Sequence, residues 1–338
     1  MTSRERVKAA MHYKQVDKAP LQYYYCPVGY YEHGEKLNDL YSTLPGDFEP
    51  FARHPIAGPA PEDYDADGSY HAYRTDDWDT TWEYRIFGIT GIPCKYPIPT
   101  MEDIDRYQVP APPRADEGLK SWAAGLDRQF YTLLGGGNLI ERLLQLIPDE
   151  EMYCALQLDD PALNELADKI IAYDAGLVER AIAAGADGLS FGDDYGTEKC
   201  MLMSPAVWRR FFKPRLRELF APAVKAGLDI HFHSCGMIDA ILEDMREIGV
   251  TSIWPQLPAY DMRKLADKCR SLGLAVAIHT DRANTMTFGT PQQVRDLVKR
   301  EFETFRMVDG GSWFYVEADN GFPYENIEAM VQTIAEWR

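Results

Sequence analysis

From about residue 120 onward, two periods of hydrophobicity alternate along the chain. Short apolar runs end in glycine or polar residues: "QFYTLLGG" (129–136), "ADGLSFGDD" (186–194), "LDIHFHSCG" (228–236), "VTSIWPQ" (250–256), "LAVAIHTD" (274–281) and "GSWFYVEAD" (311–319). Between them lie stretches whose apolar residues fall three and four apart. Examples are "MIDAILEDMREIG" (237–249), "DMRKLADKCRSLG" (261–273) and "TPQQVRDLVKREFETFRMVDG" (290–310). The first kind predicts buried strands and the second amphipathic helices. Gly185, Gly227, Gly249 and Gly273 stand just before strands, where they would cap the preceding helices. Strand–helix alternation at this spacing predicts parallel βα units.

The N-terminal third has another texture. Residues 3–14 read as a helix capped by Ser3, and "LQYYYC" (21–26) as an aromatic strand. Residues 27–120 are rich in proline and in short aromatic stretches such as "YHAYRTDDWDTTWEYRIFG", where Trp and Tyr alternate with polar residues. This predicts a β-hairpin and loop insertion, a lid or side excursion within one domain spanning 1–338. With the strand at 21–26 the count of strands approaches eight. A (β/α)8 TIM barrel is expected over a doubly wound sheet, because no glycine-rich phosphate turn follows the first strand.

Composition narrows the function classes. The 338 residues are 46% hydrophobic and 26% charged, which suits a soluble globular domain with a sizeable core. A net charge of −18 argues against nucleic acid, whose phosphates need Lys and Arg. No apolar run approaches membrane length, and "MTSRERVKAAMHYKQ" lacks the apolar segment of a secretory signal. The six cysteines (26, 94, 154, 200, 235 and 269) show no paired spacing and read as reduced thiols. A cytoplasmic enzyme is expected.

In a barrel the chemistry sits at the C-terminal ends of the strands. Those ends hold Asp193, Asp194 and Tyr195; then His231, His233 and Cys235; then Trp254 and Gln256; then His279 and Asp281; and finally Glu317, Asp319 and Asn320. Five consecutive strands ending this way mark a site. Imidazole and thiolate suit zinc, and alternate strand positions share a face, so His233 and Cys235 are candidate ligands, with Glu317 the best-placed third. On spacing alone, a buried imidazole and a buried thiol explain His-x-Cys better, and the acids and histidines on neighbouring strand ends bring the metal reading level with that one. Asp193, Asp194 and His279 are candidates to move a proton or orient a ligand. Tyr195, Trp254, Gln256 and Asp281 are candidates to touch substrate.

Two other patterns carry less. "GLSFG" (188–192) matches the nucleophile-elbow spacing, yet Ser190 lies inside an apolar strand and not at a sharp turn. "GGGN" (135–138) lacks the lysine of a phosphate loop. The aromatic set Tyr23, Tyr24, Tyr25, Trp78 and Trp82 could line a pocket for a flat or methylated ligand, although core packing suits at least half of them.

Several segments together resemble the uroporphyrinogen decarboxylase superfamily, and more closely its cobalamin-dependent methyltransferase branch. They are "SRERVKAAMHYKQVDKAPL", "DDWDTTWEYRIFG" with Asp79 where glycine is usual, "GNLIERLLQLIPDEE", "GADGLSFGDDYGTEKCMLMSPAVWRRFFKPRLRELF", "HFHSCG" and "FPYENIEAMV". The resemblance implies a (β/α)8 barrel with a zinc site that includes His233 and Cys235. The third ligand in that branch is commonly a cysteine just before the final helix. Here no cysteine stands there, and Glu317 is nearest.

The implied function is zinc-dependent methyl transfer between a small O-, N- or S-methylated substrate and a corrinoid (cobalamin) on a small partner protein. A carboxylate ligand makes the zinc harder and turns it from sulfur toward an oxygen or nitrogen donor. The alternative is a decarboxylase acting on a tetrapyrrole. That enzyme uses an N-terminal arginine cluster and a Phe-Ser-Asp segment; this chain has Arg4 and Arg6 but no Phe-Ser-Asp.

Overall fold

The computed structural model describes residues 1–338. Its strands are β1 (Leu21–Tyr23), β2 (Ala72–Thr75), β3 (Thr81–Tyr84), β4 (Ile92–Lys95), β5 (Leu133–Gly137), β6 (Gly188–Gly192), β7 (Asp229–Ser234), β8 (Ser252–Pro255), β9 (Ala275–His279) and β10 (Ser312–Val316). Seven of them form one parallel sheet in the order β1-β10-β9-β8-β7-β6-β5. Helices connect consecutive strands, among them Pro161–Ala184, Pro205–Lys225, Met262–Leu272 and Pro291–Phe305. No helix is long and apolar enough to cross a membrane.

The strand pattern sorts side chains into two layers. Leu189, Phe191, Ile230, Phe232, Ile253, Val276, Ile278, Phe314 and Val316 join the large core shared with the helices. The alternate positions Ala275, Ala277, Trp313 and Tyr315 form a separate inner cluster with Val7 and Met11. Val7 and Met11 belong to the helix Ser3–Met11, so that helix plugs the N-terminal end of the barrel. Arg4 and Lys8 pair with Asp187 at 2.8 and 2.6 Å, and His12 meets Asp229 at 2.9 Å. The helix is capped by Thr2 and not by Ser3: Thr2 and Glu5 make the reciprocal capping box, and Ser3 bonds Asp47 instead.

Sequence rhythm predicts about eight barrel strands, and the sheet has seven. Where an eighth would run between β1 and β5, one residue stands in. The Asp47 N–H donates to the Leu21 carbonyl at 2.7 Å, and the Asp47 carbonyl accepts from the Tyr131 N–H at 3.3 Å. The buried Asp47 carboxylate also accepts from Arg6, from the Leu21 N–H at 3.0 Å and from Arg338 at 2.6 Å. Its side chain ties the first helix, the first strand and the C-terminal residue together.

The insertion is more ordered than a hairpin with loops. Its first part is helical, Pro27–His33 and Glu35–Ser42, and β2-β3-β4 make a three-stranded antiparallel sheet. Asp76 holds the turn between β2 and β3 by accepting from the Trp78 and Thr80 N–H groups, and its other oxygen accepts from the Trp82 indole. Asp79 has φ +63°, which explains why glycine suits that position. Trp78 is buried beneath the Arg142 guanidinium, 4.2 Å away, which anchors the insertion to the barrel.

Two predictions test these ties. Asp47→Ala strands Arg338 in a buried setting and should cost about 3–5 kcal/mol in urea unfolding; a loss below about 1 kcal/mol would show that the closure does not depend on it. Glu301 sits on the apolar stripe of Pro291–Phe305, accepts from the Thr280 hydroxyl at 2.8 Å, and is pushed up to about 8 by burial. The folded state therefore keeps a proton that the unfolded chain releases above about pH 4.3, so wild-type stability falls as pH rises from there toward 8. Glu301→Gln should remove that slope and be the more stable protein at pH 9. Equal stability of the two proteins across pH 5–9 would refute this.

Candidate metal centre at the barrel mouth

The stretch "DIHFHSCG" becomes intelligible once β7 is in the barrel. Ile230 and Phe232 face the helices, so His231 and His233 face the lumen. His231 lies deep, with Nδ1 2.9 Å from the Ser252 hydroxyl and its ring against Trp313. Burial, with His233 beside it, drives its pKa down to about 3, so it is neutral. His233 stands one pleat higher. Its Nδ1 is 2.9 Å from the Trp254 carbonyl, which places the proton on Nδ1 and leaves Nε2 free at the mouth.

Cys235 follows directly, with Sγ 3.4 Å from His233 Nε2. Asp194, beyond the end of β6, places Oδ1 3.4 Å from the same nitrogen and accepts the Cys235 N–H at 2.7 Å. The three ligand atoms all lie within 4.8 Å of one another. Tetrahedral zinc with ordinary bond lengths would separate N from S by about 3.6 Å and N from O by about 3.4 Å, so this donor set fits such an ion. Burial, aided by Asp194, pushes the Cys235 thiol up to about 12, and burial lowers His233. A thiol in that state becomes a ligand only when a cation beside it offsets the cost of its charge.

Two glycines lock the cluster. Gly236, at φ +72°, packs against the Gly196 backbone so closely that a Cβ would lie 2.1 Å from the Gly196 carbonyl carbon. The Gly236 N–H donates to Gln256 Oε1 at 3.0 Å. Gln256, expected to touch substrate, thus positions the loop that carries Cys235, while also lining the cavity.

A second group occupies the opposite wall. Glu317, expected as the third ligand, is engaged elsewhere: Oε1 lies 3.3 Å from His279 Nε2 and 3.2 Å from Arg282 Nη1, and it is not part of the Asp-His-Cys cluster. Burial works to raise the Glu317 carboxyl, but the His279 hydrogen bond and the Arg282 charge outweigh it and hold the group below its usual range. The Trp254 indole, a donor only, gives its N–H to His279 Nδ1 at 3.3 Å, so His279 turns Nε2–H toward Glu317. Trp254 also packs on His233 and on Tyr315, at 4.1 and 4.2 Å between ring centroids. A cavity of about 200 Å³ is lined by His233, Cys235, Trp254, Gln256, His279 and Arg282.

The remaining expected residues scatter. Asp193 is buried behind the mouth; it accepts from the Leu139 N–H and from the Tyr195 hydroxyl, both at 2.8 Å, and burial lifts it to about 7. Tyr195, expected to touch substrate, does not line this cavity. It is wholly buried among Trp208, Phe212 and Phe232, because the chain turns back under the helix Pro205–Lys225. Asp281 lines the cavity, and its carboxylate also caps the turn Arg282–Met286 through the Asn284 and Thr285 N–H groups. Tyr25 stacks on His54, 4.4 Å away, outside this cavity. Ser190 lies within β6, paired with Gly135 and His231, and forms no elbow.

Three residues emerge from the structure alone. Arg282 follows the β9 run, and Glu141 Oε1 lies 3.4 Å from the Asp194 N–H. Asp174 is pushed up to about 8 by burial and by Asp193, and it sits where a Cβ on Gly137 would stand. A sequence signal existed for Asp174, an acid in helical register with buried Ile170 and Val178.

Comparison with known proteins agrees with this architecture. A family profile described as uroporphyrinogen decarboxylase (URO-D) matches residues 150–337, more than half of the chain. Methylcobamide:CoM methyltransferase MtaA of Methanosarcina barkeri is 35% identical over 92 residues, and the match covers 27% of this chain and 24% of that relative. A solved methyltransferase from Methanosarcina mazei shares the fold over 99% of both chains, with a TM-score of 0.68 and 18% identity.

The glycine contact yields a paired prediction. Gly236→Ala should destabilise the protein by more than 2 kcal/mol, since a positive φ and a backbone clash both oppose it. Gly227→Ala, at φ +79° with open space around it, should cost only about 1 kcal/mol. Equal costs in chemical denaturation would show that the Gly196–Gly236 approach is not constraining.

Proposed function

The chain belongs to the uroporphyrinogen decarboxylase family, and from that premise we propose that it is a methyltransferase. It would move a methyl group between a small methylated substrate and a corrinoid on a separate protein, with zinc held by Asp194, His233 and Cys235. The convergence of those three side chains at the mouth is the observation that carries this reading. The relative named a methylcobamide:CoM methyltransferase supports it.

Zinc, when bound, would act as a Lewis acid on a substrate heteroatom in its open position. The protein's own groups do the rest. The Trp254 carbonyl keeps His233 Nε2 turned to the mouth, and Asp194 both faces that nitrogen and holds the Cys235 backbone. The Trp254 ring, backed by Tyr315, forms one apolar side of the cavity. The His279–Glu317 pair borders the cavity through His279, and the proton it shares is the one placed to pass to or from a substrate. Asp193 is a positioning residue in this scheme, fixing the chain at Leu139 and the turn that carries Asp194. One thiolate with an imidazole and a carboxylate is a harder set than two thiolates, which favours an oxygen or nitrogen substrate atom.

The decarboxylase chemistry in the family's name finds less support. Holding several tetrapyrrole carboxylates needs free positive charge. Arg282 is the one cation lining this cavity, and Glu317 and Asp319 already pair with it, at 3.2 and 3.1 Å.

The expected outcome is about one zinc per chain by elemental analysis of protein purified without added metal. Asp194→Ala and Cys235→Ala should lose the metal, while Glu317→Gln retains it. Visible absorbance should follow demethylation of methylcobalamin by one of a panel of alcohols, amines and thiols, abolished in His233→Ala. A metal-free wild type, or a His233→Ala protein with an unchanged rate, would sink the proposal.

A further inference from the structure

Two patterns in the sequence, "GGGN" (135–138) and "GLSFG" (188–192), take no part in the metal centre, yet the sheet sets them side by side. Gly135 pairs with Ser190, Ser190 with His231 and His231 with Ser252, so these four form one lumen-facing layer. One pleat higher, Gly192 pairs with His233 and His233 with Trp254. The lumen is unevenly filled. Trp313 packs on His231 and Trp254 on Tyr315, and these rings occupy the β8–β10 side. On the β5–β6 side the same layers hold two glycines and a serine.

The fold itself does not require those glycines. Neither has a left-handed φ. A Cβ on Gly135 would have no atom within 4 Å, and one on Gly192 would meet only the His233 side chain, at an ordinary 3.6 Å. Glycine weakens a strand, and inside one it marks a place where a ligand or another backbone comes close. No backbone comes close here, but solvent does. Gly135 is exposed and Ser190 and Gly192 are half-buried, whereas Leu189 and Phe191, which face the helices, are buried.

The floor of this space carries an unsatisfied polar atom. His231 is 1% exposed, and its Nδ1 is taken by the Ser252 hydroxyl. Its Nε2 has no partner in the protein and is not sealed from solvent, as the orphaned Tyr315 hydroxyl is. The Ser190 hydroxyl stands beside it in register. A buried nitrogen in that state asks for a hydrogen-bonding ligand. The lower layer holds no Asp, Glu, Lys or Arg, so a charge placed there would be buried unpaired. The two layers lie about 6.6 Å apart along the strands, a span that a para-substituted benzene ring bridges.

We propose that this half of the lumen holds the body of the substrate: an uncharged, flat group of about ring size, with a hydrogen-bonding atom at its far end on His231 and Ser190 and its methylated heteroatom at the metal centre. Gly135 and Gly192 are specificity-determining residues, free of side chains so that this body fits. That the occupant is the methyl-bearing substrate rests on the methyl-transfer reading, whereas the chamber is tested by binding alone.

4-Methoxyphenol is the probe, followed by calorimetry and saturation-transfer NMR on the full chain. It should bind saturably and at least about tenfold more tightly than methoxybenzene, which lacks the hydroxyl, or 4-methoxybenzoate, which puts a charge in its place. Gly135→Val should weaken it at least about tenfold and Gly192→Ala about threefold, each melting within about 5 °C of wild type or above it. No saturation by about 10 mM, equal affinity for the charged probe, or wild-type affinity in Gly135→Val would overturn the assignment. So would a Gly135→Val protein that melts more than about 5 °C low, since the glycine would then serve the fold. Saturable, glycine-dependent binding without demethylation would support the chamber and count against methyl transfer alone.

Discussion

A closed parallel sheet imposes one geometric rule on this chain: every second residue of each strand faces the lumen, and every strand ends at the same rim. The two-layer core follows from it, with Ile230, Phe232, Val276 and Ile278 packed under helices and Ala275, Ala277, Trp313 and Tyr315 filling the barrel. The depth of each histidine follows as well. His231 meets Ser252 and Trp313 in the interior, whereas His233, two residues on, reaches the rim. Closure is the condition for all of this, and it rests on the backbone and carboxylate of Asp47.

Desolvation then divides the acids at the mouth into kinds. Asp193 and Asp174, buried without cationic partners of their own, are pushed toward the protonated form. Glu317, just as buried, stays ionised because His279 and Arg282 face it. Asp194 is the more exposed carboxylate, and it is the one beside His233 and Cys235. Chemistry at this rim is thus set by which acid has a cation to face, more than by how many acids are present.

Much of this was legible from residue order. The alternating periods gave the strands after residue 120, and the His-x-Cys pair at a strand end gave two members of the candidate metal cluster. The pattern around Trp78 and Trp82 marked the insertion, and Asp79 there has a positive φ of the kind glycine adopts freely. The convergence of Asp194 on that pair was not legible. Glu317 and Asp194 both follow barrel strands, and nothing in their local sequence tells which side of the rim each faces. Tyr195 escaped for a similar reason, since the turn beneath Pro205–Lys225 buries a residue that order alone places at the mouth.

The sequence by itself determined the periodic elements, the lumen-facing alternation and the gathering of polar groups at strand ends, because side-chain direction along a strand is a local property of the backbone. The tertiary structure decided the pairings around the rim: Asp194 with His233 and Cys235, Glu317 with His279 and Arg282, and Asp47 in place of an eighth strand. Those depend on strand stagger and on loops that meet at contacts such as Gly196 with Gly236, between residues far apart in the chain. Desolvation and distance act there through space, and residue order does not encode them locally.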